Sequence, residues 1–436
     1  MYLFFTEALS IDDVGEGSKR KRMESFFELK TPDEVFKLID GFVPVGEEVI
    51  LLEDAVGRVL SRDLSANEDL PRFSRSTMDG YALKAKGTFG ASEGLPALFE
   101  VVGEVRMARV NDSKVGEGEA VKIPTGGMLP KGADGVVMVE YCELLDDSTL
   151  EISRAISPLE NVIQPGDDIR RGDLFLNKGR RLRPQDLGLM AGLGQSEVPV
   201  FRRPKVAIIS TGDEIVPVEG RLRPGQVRDM NRYTLGSLCR RTGAEPLHIG
   251  LCADDFESLK GLVEKALLQA DLVWVSGGSS VGTRDLSLKV FETFTNFELL
   301  VHGISISPGK PTIIGRIGSQ PIVGLPGHVA SALIIAEVFM TRLIFRLAGD
   351  ADFSRGYNRH VEAVLSQNVE SASGREDYIR VRLVKEGESL TAKPVFGKSG
   401  LISTLVEADG LIRINMNAEG LYKGERVNVM PFGHVY

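Results

Sequence analysis

The sequence predicts a multidomain protein of the α/β plus β class, and three observations support this. Its 436 residues exceed the usual size of one domain and correspond to about three. From about residue 203 to 349, short apolar runs alternate with helical patterns, which is typical of a parallel-type sheet covered by helices. The regions on either side contain short alternating stretches between turn residues, which is typical of β domains.

Composition restricts the classes of function. With 42% hydrophobic and 26% charged residues the chain is expected to be soluble, and the absence of any apolar run near 18 residues argues against a membrane span. The net charge of −9 argues against nucleic acid as the main partner, although a local site can still bind an anion. Three widely spaced cysteines without a Cys-x-x-Cys motif fit a cytoplasmic protein.

The first 200 residues predict an extension, one early helix and a β-rich region. Residues 1–28 are expected to form an N-terminal extension, and Thr31 and Pro32 mark the start of a helix. Two polar loops follow, one around Asp79 and one that contains Thr125. Loops on rigid scaffolds often carry binding groups, but the first could equally be an inter-domain linker and the second an ordinary hairpin end.

Acidic residues follow two predicted strands of the α/β segment. Glu214 ends the segment 205–214, which reads as a buried strand that runs into a polar turn, and Asp254 follows the strand expected near 247–251. In parallel sheets, ligands bind beyond the carboxyl ends of the strands. The sequence therefore predicts a site where these strands end.

A third strand, at 272–275, leads into a glycine-rich turn and then a helix. The turn contains small residues suited to close backbone approach: Ser276, Gly277, Gly278, Ser280 and Gly282. Backbone N–H groups at such a turn form an anion site, and Asp285 beside a phosphate implies an intervening Mg²⁺. The alternative is an ordinary turn in which Asp285 stabilises the helix start.

The last third of the sequence adds a basic loop and a β domain. Lys310 lies on a loop stiffened by proline and glycine, which makes it a candidate anion partner. After a linker at 349–358, residues 379–383 alternate between apolar and basic side chains. Regular turn signals there predict a small barrel or a sandwich.

Seven motifs in order resemble those of the molybdopterin molybdenumtransferases, that is, the MoeA proteins and the equivalent domain of gephyrin. The resemblance runs from about residue 29 to the end of the chain. The motifs lie at 71–82, 124–126 with 136–138, 210–214, 229–231, 276–285, 308–311 and 324–327. Each is weak alone, whereas their common order is specific.

The resemblance implies four domains after the extension at 1–28. It implies a mixed, discontinuous linking domain at 29–70 and 167–202, and a β-rich lobe at 71–166. It further implies a three-layer α/β molybdopterin-binding domain at 203–349 and a C-terminal β-barrel at 355–436. It also implies a homodimer in which each lobe completes the partner's cleft.

The family reaction takes adenylylated molybdopterin and molybdate or tungstate, with Mg²⁺ as cofactor, and releases AMP. The resemblance implies catalytic roles for Asp79, Thr125, Glu214, Asp254 and Asp285, of which Asp285 and Glu214 would hold the metal. It implies substrate binding by Ser276, Gly277, Gly278, Ser280, Gly282, Lys310, Pro326, Gly327, Arg375 and Ser399. The molybdopterin adenylyltransferase is the implied protein partner.

Two departures from the family pattern leave alternatives open. Ser307 stands where the family commonly has lysine, and His328 stands within its Gly-Asn-Pro-Val-Ser motif. His328 could replace a donor or be structural, and the choice between molybdate and tungstate stays open. An adenylyltransferase and a non-catalytic scaffold are the competing functions. The additional lobes argue against the first, and the three acids Glu214, Asp254 and Asp285 argue against the second.

Overall fold

The computed structural model describes residues 29–107, 114–277, 281–351, 360–387 and 389–433. For residues 281–285 and 386 it describes the backbone alone. The predicted N-terminal extension therefore lies outside the described residues.

The α/β domain is built on a six-stranded sheet. Its strands, in order across the sheet, are Glu245–Cys252, Lys205–Thr211, Leu272–Ser276, Gln320–Leu325, Ile313–Ile317 and Phe297–His302. The first four are parallel, as predicted, whereas the last two are antiparallel to their neighbours. Residues 318 and 319 alone connect Ile313–Ile317 to Gln320–Leu325, and so short a connection permits only a hairpin.

Helices cover both faces of this sheet, which confirms the three-layer α/β prediction. Because successive strand residues point to opposite faces, Val206 and Ile208 pack into one core and Ala207 and Ile209 into the other. The first core is completed by Pro32–Asp40, Asn231–Arg241, Val329–Ile335, the π-turn Ala336–Met340 and Thr341–Leu347. The second core is completed by Phe256–Gln269 and Val281–Glu292.

The first helix packs on the α/β domain, although the sequence-based division places it in the linking domain. Thr31 and Glu34 form a capping box at its start. Its Phe36 ring stacks on Phe339 at 5.0 Å between centroids. Arg342 donates to both carboxylate oxygens of Asp40. This helix therefore ties the N-terminal segment to the α/β domain.

The β-rich lobe is a six-stranded sheet. Its strands, in order, are Gly135–Met138, Gly80–Leu83, Glu119–Ile123, Ala97–Glu104, Thr149–Ile152 and Cys142–Leu144. Short 3₁₀ turns lie at Ala85–Thr88 and Val139–Tyr141. A Cβ on Gly80 would lie 1.8 Å from the carbonyl oxygen of Val137, so this position admits only glycine.

Two small sheets join the segments before and after the lobe, and a third pairs the first and last parts of the lobe itself. The pairs are Glu47–Leu51 with Glu197–Phe201, Leu64–Ser65 with Leu174–Leu176, and Arg75–Ser76 with Val162–Ile163. The 3₁₀ turn Leu52–Asp54 and the helix Pro184–Gly192 lie in the same region. The lobe therefore projects from a pair of chain segments that are paired at its base.

The C-terminal domain is a closed barrel, which decides between the two predicted β architectures. Its strands, in order, are Glu376–Glu386, Ser389–Pro394, Val361–Leu365, Arg426–Pro431 and Gly410–Ile414, and the last pairs again with the first. The C-terminal domain also contains the helix Ser403–Val406 and the strand pair Val369–Glu370 with Gly420–Leu421, which lie outside the barrel. The α/β domain contains one further small strand pair, Ile215–Val216 with Val227–Arg228. Among the described helices, none is long and apolar enough to cross a bilayer.

Candidate functional site

Acidic side chains follow two neighbouring parallel strands. Asp213 and Glu214 follow Lys205–Thr211, and Asp254 follows the edge strand Glu245–Cys252. The Asp213 carboxylate accepts a hydrogen bond from the Asp254 backbone N–H at 3.1 Å. These three residues are termed the acidic strand ends.

The electrostatics of Asp254 reflect this clustering. Partial burial raises the pKa of its carboxyl, and the neighbouring charges of Asp213 and Glu214 raise it further. A hydrogen bond of 2.8 Å from the Thr211 hydroxyl acts in the opposite direction. A cation bound near Asp254 would relieve the repulsion among these carboxylates.

The oxygen donors at the acidic strand ends suit Mg²⁺. Among the residues that the structure describes, no three His, Cys, Asp or Glu side chains converge as a complete metal cluster. Mg²⁺ is usually held by one or two carboxylates together with substrate phosphates and water, so a partial protein donor set fits this ion. Asp285 lies in the helix Val281–Glu292, and its side chain is outside the described part.

The next strand end is closely packed. A Cβ on Gly277 would lie 2.4 Å from the Thr211 methyl group, so the chain can pass Thr211 here only as glycine. Ser276 is 1% exposed, and its hydroxyl oxygen accepts a 2.6 Å hydrogen bond from Asn231. Gly278 and Ser280 lie outside the described residues, and Gly282 is described only as helical backbone.

Asn231 links two strand ends. The same amide nitrogen that donates to Ser276 also donates to the Gly327 carbonyl at 2.9 Å. Asn231 is 6% exposed, at the start of the helix Asn231–Arg241. It therefore holds the end of Leu272–Ser276 against the turn that follows Gln320–Leu325.

Beyond that turn lies a cavity of about 610 Å³ between the α/β domain and the barrel. Its charged lining residues are Lys310 and Arg375, and its lining hydroxyls are Ser305, Ser307, Ser331, Ser373 and Ser399. Pro326, Gly327 and His328 complete one wall. Among the described residues no carboxylate lines it, so we term it the cationic cavity. Hydroxyl and cationic donors without competing acids suit an oxyanion.

Strand pairing between domains builds this cavity. Ile306–Ser307 pairs in parallel with residues Glu376 and Asp377 of the barrel, which brings the Lys310 loop beside Arg375. Gly309 makes the loop fit, because a Cβ there would lie 2.5 Å from the side chain of Ile335. The cavity is thus a product of domain packing.

The Arg375 guanidinium forms an ion pair with a buried carboxylate. Its Nε lies 3.0 Å from Oδ1 of Asp377, a carboxylate with a 5% exposed side chain. Ser371 donates to the other oxygen of Asp377 at 2.7 Å. Asp377 therefore orients Arg375 while the arginine itself reaches the cavity.

The acidic strand ends and the cationic cavity lie at the same edge of one sheet. The strands that precede Glu214 and Pro326 have one strand between them, and all three are parallel. At the usual strand spacing this corresponds to a separation of about 10 Å along the sheet edge. Among the described residues, Glu214, Asp254, Ser276 and Pro326 are thus brought to one edge.

Asp79 and Thr125 meet in the β-rich lobe. The Thr125 backbone N–H and hydroxyl donate to one Asp79 oxygen at 2.7 and 3.1 Å. These bonds lower the pKa of Asp79, the backbone bond most strongly. Both side chains are exposed, and neither lines the cationic cavity. The structure therefore unites these two predicted residues with each other but not with the cavity residues.

Sequence reasoning missed several residues of the site. Thr211, Asp213 and Asn231 were noted only within motifs, and Asp377 was not noted. The position of Asn231 at a helix start near two predicted strand ends was the available signal. Asp377 offered no such signal, because its pairing with Arg375 becomes meaningful only once the barrel closes.

Three family models match consecutive parts of the chain. The MoeA N-terminal region, domains I and II, matches residues 30–194. A probable molybdopterin binding domain matches residues 207–346, and the MoeA C-terminal region, domain IV, matches residues 362–432. Together they cover most of the chain and include both the acidic strand ends and the cationic cavity.

Relatives and solved structures agree with these models. The molybdopterin molybdenumtransferase of Haemophilus influenzae is 32% identical over 90% of this chain and 95% of its own length. That of Bacillus subtilis is 30% identical over 92% and 95%, respectively. Two crystal structures of MoeA from Pyrococcus horikoshii superpose with TM-scores of 0.79, at 36% and 29% identity. They cover 94% and 93% of this chain and 100% of each solved chain.

Proposed function

This chain belongs to the MoeA family of molybdenum cofactor biosynthesis enzymes, and we propose that it inserts molybdate or tungstate into adenylylated molybdopterin with Mg²⁺-dependent release of AMP. The observation that carries the proposal is the position of the two sites. An acidic and a cationic site lie at one sheet edge, and Asn231 ties the strand end between them to Gly327 in the cavity wall. A substrate that contains both a phosphoanhydride and an incoming oxyanion needs such a pair of sites.

The cationic cavity would receive the oxyanion. Lys310 supplies a point charge, and Arg375 supplies planar donors that Asp377 keeps oriented. The serine hydroxyls of the lining add donors that can adapt to a tetrahedral oxyanion. Because donors and charges are already in place, little reorganisation is needed when the oxyanion binds.

The acidic strand ends, together with Asp285 of the helix Val281–Glu292, would hold the anhydride side of the substrate. Glu214 and Asp285 would bind Mg²⁺, whose charge would neutralise the phosphates, and Asp254 would position water. Cleavage of the anhydride consumes one water and leaves AMP and the phosphate of the molybdopterin. Thr211 keeps the Asp254 carboxylate directed, because its hydroxyl donates to that carboxylate.

The test uses purified protein with adenylylated molybdopterin, Mg²⁺ and either molybdate or tungstate, and follows AMP. AMP release that requires both Mg²⁺ and an oxyanion is expected, and the preferred oxyanion is read from the same assay. ATP consumption with plain molybdopterin would favour an adenylyltransferase instead. Release of AMP without dependence on oxyanion would contradict the insertion step.

The active assembly is proposed to be a cytoplasmic homodimer that receives its substrate from the molybdopterin adenylyltransferase. The exposed Asp79–Thr125 pair supports a shared cleft, since neither residue lines the cavity of its own chain. Asp79→Ala and Asp285→Ala should each be inactive. Mixed dimers should regain activity, because one of their two clefts combines intact residues from both subunits. No recovery after subunit exchange would contradict the shared cleft.

A further inference from the structure

An imidazole connects the two domains at the wall of the cationic cavity. His328 Nδ1 lies 2.7 Å from the hydroxyl oxygen of Ser399, which belongs to the C-terminal domain. Next to it, the Ala330 backbone N–H donates to the Ser399 carbonyl at 3.1 Å. His328 and Ser399 both line the cavity. The Ser399 backbone is therefore fixed across the domain boundary beside the proposed oxyanion site.

The loop that carries Ser399 is also held from its own domain. Arg380 donates to the Gly397 carbonyl at 2.7 Å, and it also donates to the Thr404 hydroxyl. Because hydrogen bonds hold the backbone at both Gly397 and Ser399, the Ser399 hydroxyl can respond mainly by rotating about its own C–O bond. His328 controls that rotation because it is the hydrogen-bond partner of this hydroxyl.

The presence or absence of a proton on Nδ1 of His328 decides where the Ser399 hydroxyl hydrogen points. A hydroxyl has one hydrogen to donate and can accept at its oxygen. When Nδ1 carries no proton, it accepts that hydrogen from Ser399. In a protonated imidazole both nitrogens donate, so Nδ1 donates to the Ser399 oxygen and the hydroxyl hydrogen becomes available to a ligand in the cavity.

We propose that His328 is a positioning residue for the oxyanion, which in its protonated form turns the Ser399 hydroxyl hydrogen into the cavity and adds a positive charge to the wall. The proposal rests on the proposed function, since it takes the cationic cavity as the oxyanion site. It predicts that the oxyanion binds more tightly as the pH falls.

The other charged groups around His328 do not account for such a pH response. They are Lys310 and Arg375 in the lining, Asp377 beside Arg375, Lys398 next to Ser399 in sequence, and Arg380, which donates to the same loop at Gly397. Lysine and arginine side chains ordinarily keep their charge between about pH 6.5 and 8.5, whereas an imidazole loses its charge in this range. A pH response that depends on residue 328 would therefore report the imidazole.

The experiment measures molybdate binding to the full chain by equilibrium dialysis, at concentrations and pH values where molybdate stays a monomeric dianion. The wild type should bind about tenfold more tightly at pH 6.5 than at pH 8.5, the factor expected for a charge-assisted hydrogen bond. His328→Asn should bind equally at both pH values. His360→Asn changes an exposed histidine of the C-terminal domain outside the cavity lining, and should keep the wild-type response.

Two variants keep the result interpretable. His328→Gln can hydrogen-bond to Ser399 but cannot become charged, so its molybdate affinity should also be independent of pH. This variant replaces His328→Asn in the experiment if His328→Asn folds poorly. An unchanged pH response in a folded residue-328 variant overturns the proposal and leaves the proposed function intact. If Lys310→Ala binds molybdate as tightly as the wild type, the cavity is not the oxyanion site, and the proposed function fails with the inference.

Discussion

The acidic strand ends and the cationic cavity belong to one sheet edge, yet they are built in different ways. The acids Asp213, Glu214 and Asp254 directly follow strands of the sheet. Lys310 and Arg375 instead reach their cavity through loops at the boundary between two domains. The acidic site therefore depends on the α/β domain alone, whereas the cationic site exists only when the barrel is docked.

This difference predicts that the two sites can be damaged separately. A change at the acidic strand ends or at Asp285 should impair AMP release and leave oxyanion affinity unchanged. A change in the cavity should weaken oxyanion binding and leave AMP release unchanged once the oxyanion is saturating. Asn231 bonds to the strand end at Ser276, which lies between the two sites, and to the cavity wall at Gly327. The following variants test the separation, beginning with the largest expected effect.

Asp285→Ala should lower the rate of AMP release by about 10²-fold or more, because it removes a group proposed to hold Mg²⁺ against the anhydride. Its dissociation constant for molybdate should equal that of the wild type. The control is Glu257→Ala, an exposed acid on the helix Phe256–Gln269. Wild-type AMP release by Asp285→Ala would remove this residue from the reaction.

Lys310→Ala should weaken molybdate binding about tenfold, since it removes one charge-assisted contact. At saturating molybdate its AMP release should approach the wild-type rate. Lys310 is a cleaner target than Arg375, whose removal would leave the buried Asp377 without its ion-pair partner. Lys385→Ala, on an exposed part of the barrel, is the control. A lowered maximal rate with unchanged affinity would contradict the separation of the two sites.

Gly277→Ala should lower the free energy of unfolding by about 1–3 kcal/mol, because the new methyl group would overlap Thr211. Since Thr211 donates to Asp254, the acidic side should be affected before the cavity. Gly261→Ala, at a helical position with open space, should instead stabilise by about 0.5–1 kcal/mol. Denaturant unfolding of both variants measures the contrast, and equal stabilities would show that the close packing at Gly277 is unimportant.

Asp254→Asn should slightly increase stability at pH 7, by less than about 1 kcal/mol. Burial and the neighbouring acids raise the pKa of Asp254, so its ionised form costs free energy in the folded state at pH values above that pKa. Protonation removes this cost, and the gain should therefore shrink as the pH falls toward 4. Unfolding curves of the variant and the wild type at pH 7 and near pH 4.5 measure this difference in the free energy of unfolding. If the variant's advantage grew on acidification, the expected pH dependence would be wrong. AMP release should fall in the same variant.

Much of the α/β domain could be predicted from local pattern. The segment 205–214, expected to be a buried strand that ends in a polar turn, contains the strand Lys205–Thr211, and the helix expected at about 231–242 is Asn231–Arg241. Both patterns are strong because these elements are buried along a whole face. The antiparallel strands Ile313–Ile317 and Phe297–His302 were not predicted, since a strand's own sequence does not report the direction of its neighbour.

The residues of the candidate site were easier to predict than their contacts. Asp79 and Thr125 were both named, but their hydrogen bond depends on two loops that lie 46 positions apart in sequence. Lys310 and Arg375 were also named, whereas the role of Asp377 follows from the barrel's pairing with Ile306–Ser307. The chemical properties of a side chain follow from its residue type, so they can be predicted from the sequence. Its contacts depend on the path of the whole chain.

By itself the sequence determined where strands and helices alternate, which loops are tight enough to need glycine, and which of them carry acids or cations. Periodicity and side-chain chemistry are local properties, so they can be recognised without a structure. Only the tertiary structure decided that Lys310, Arg375 and His328 share one wall and that Asn231 links it to Ser276. These contacts arise from the packing of distant segments, whose free energy depends on shape complementarity that no local pattern records.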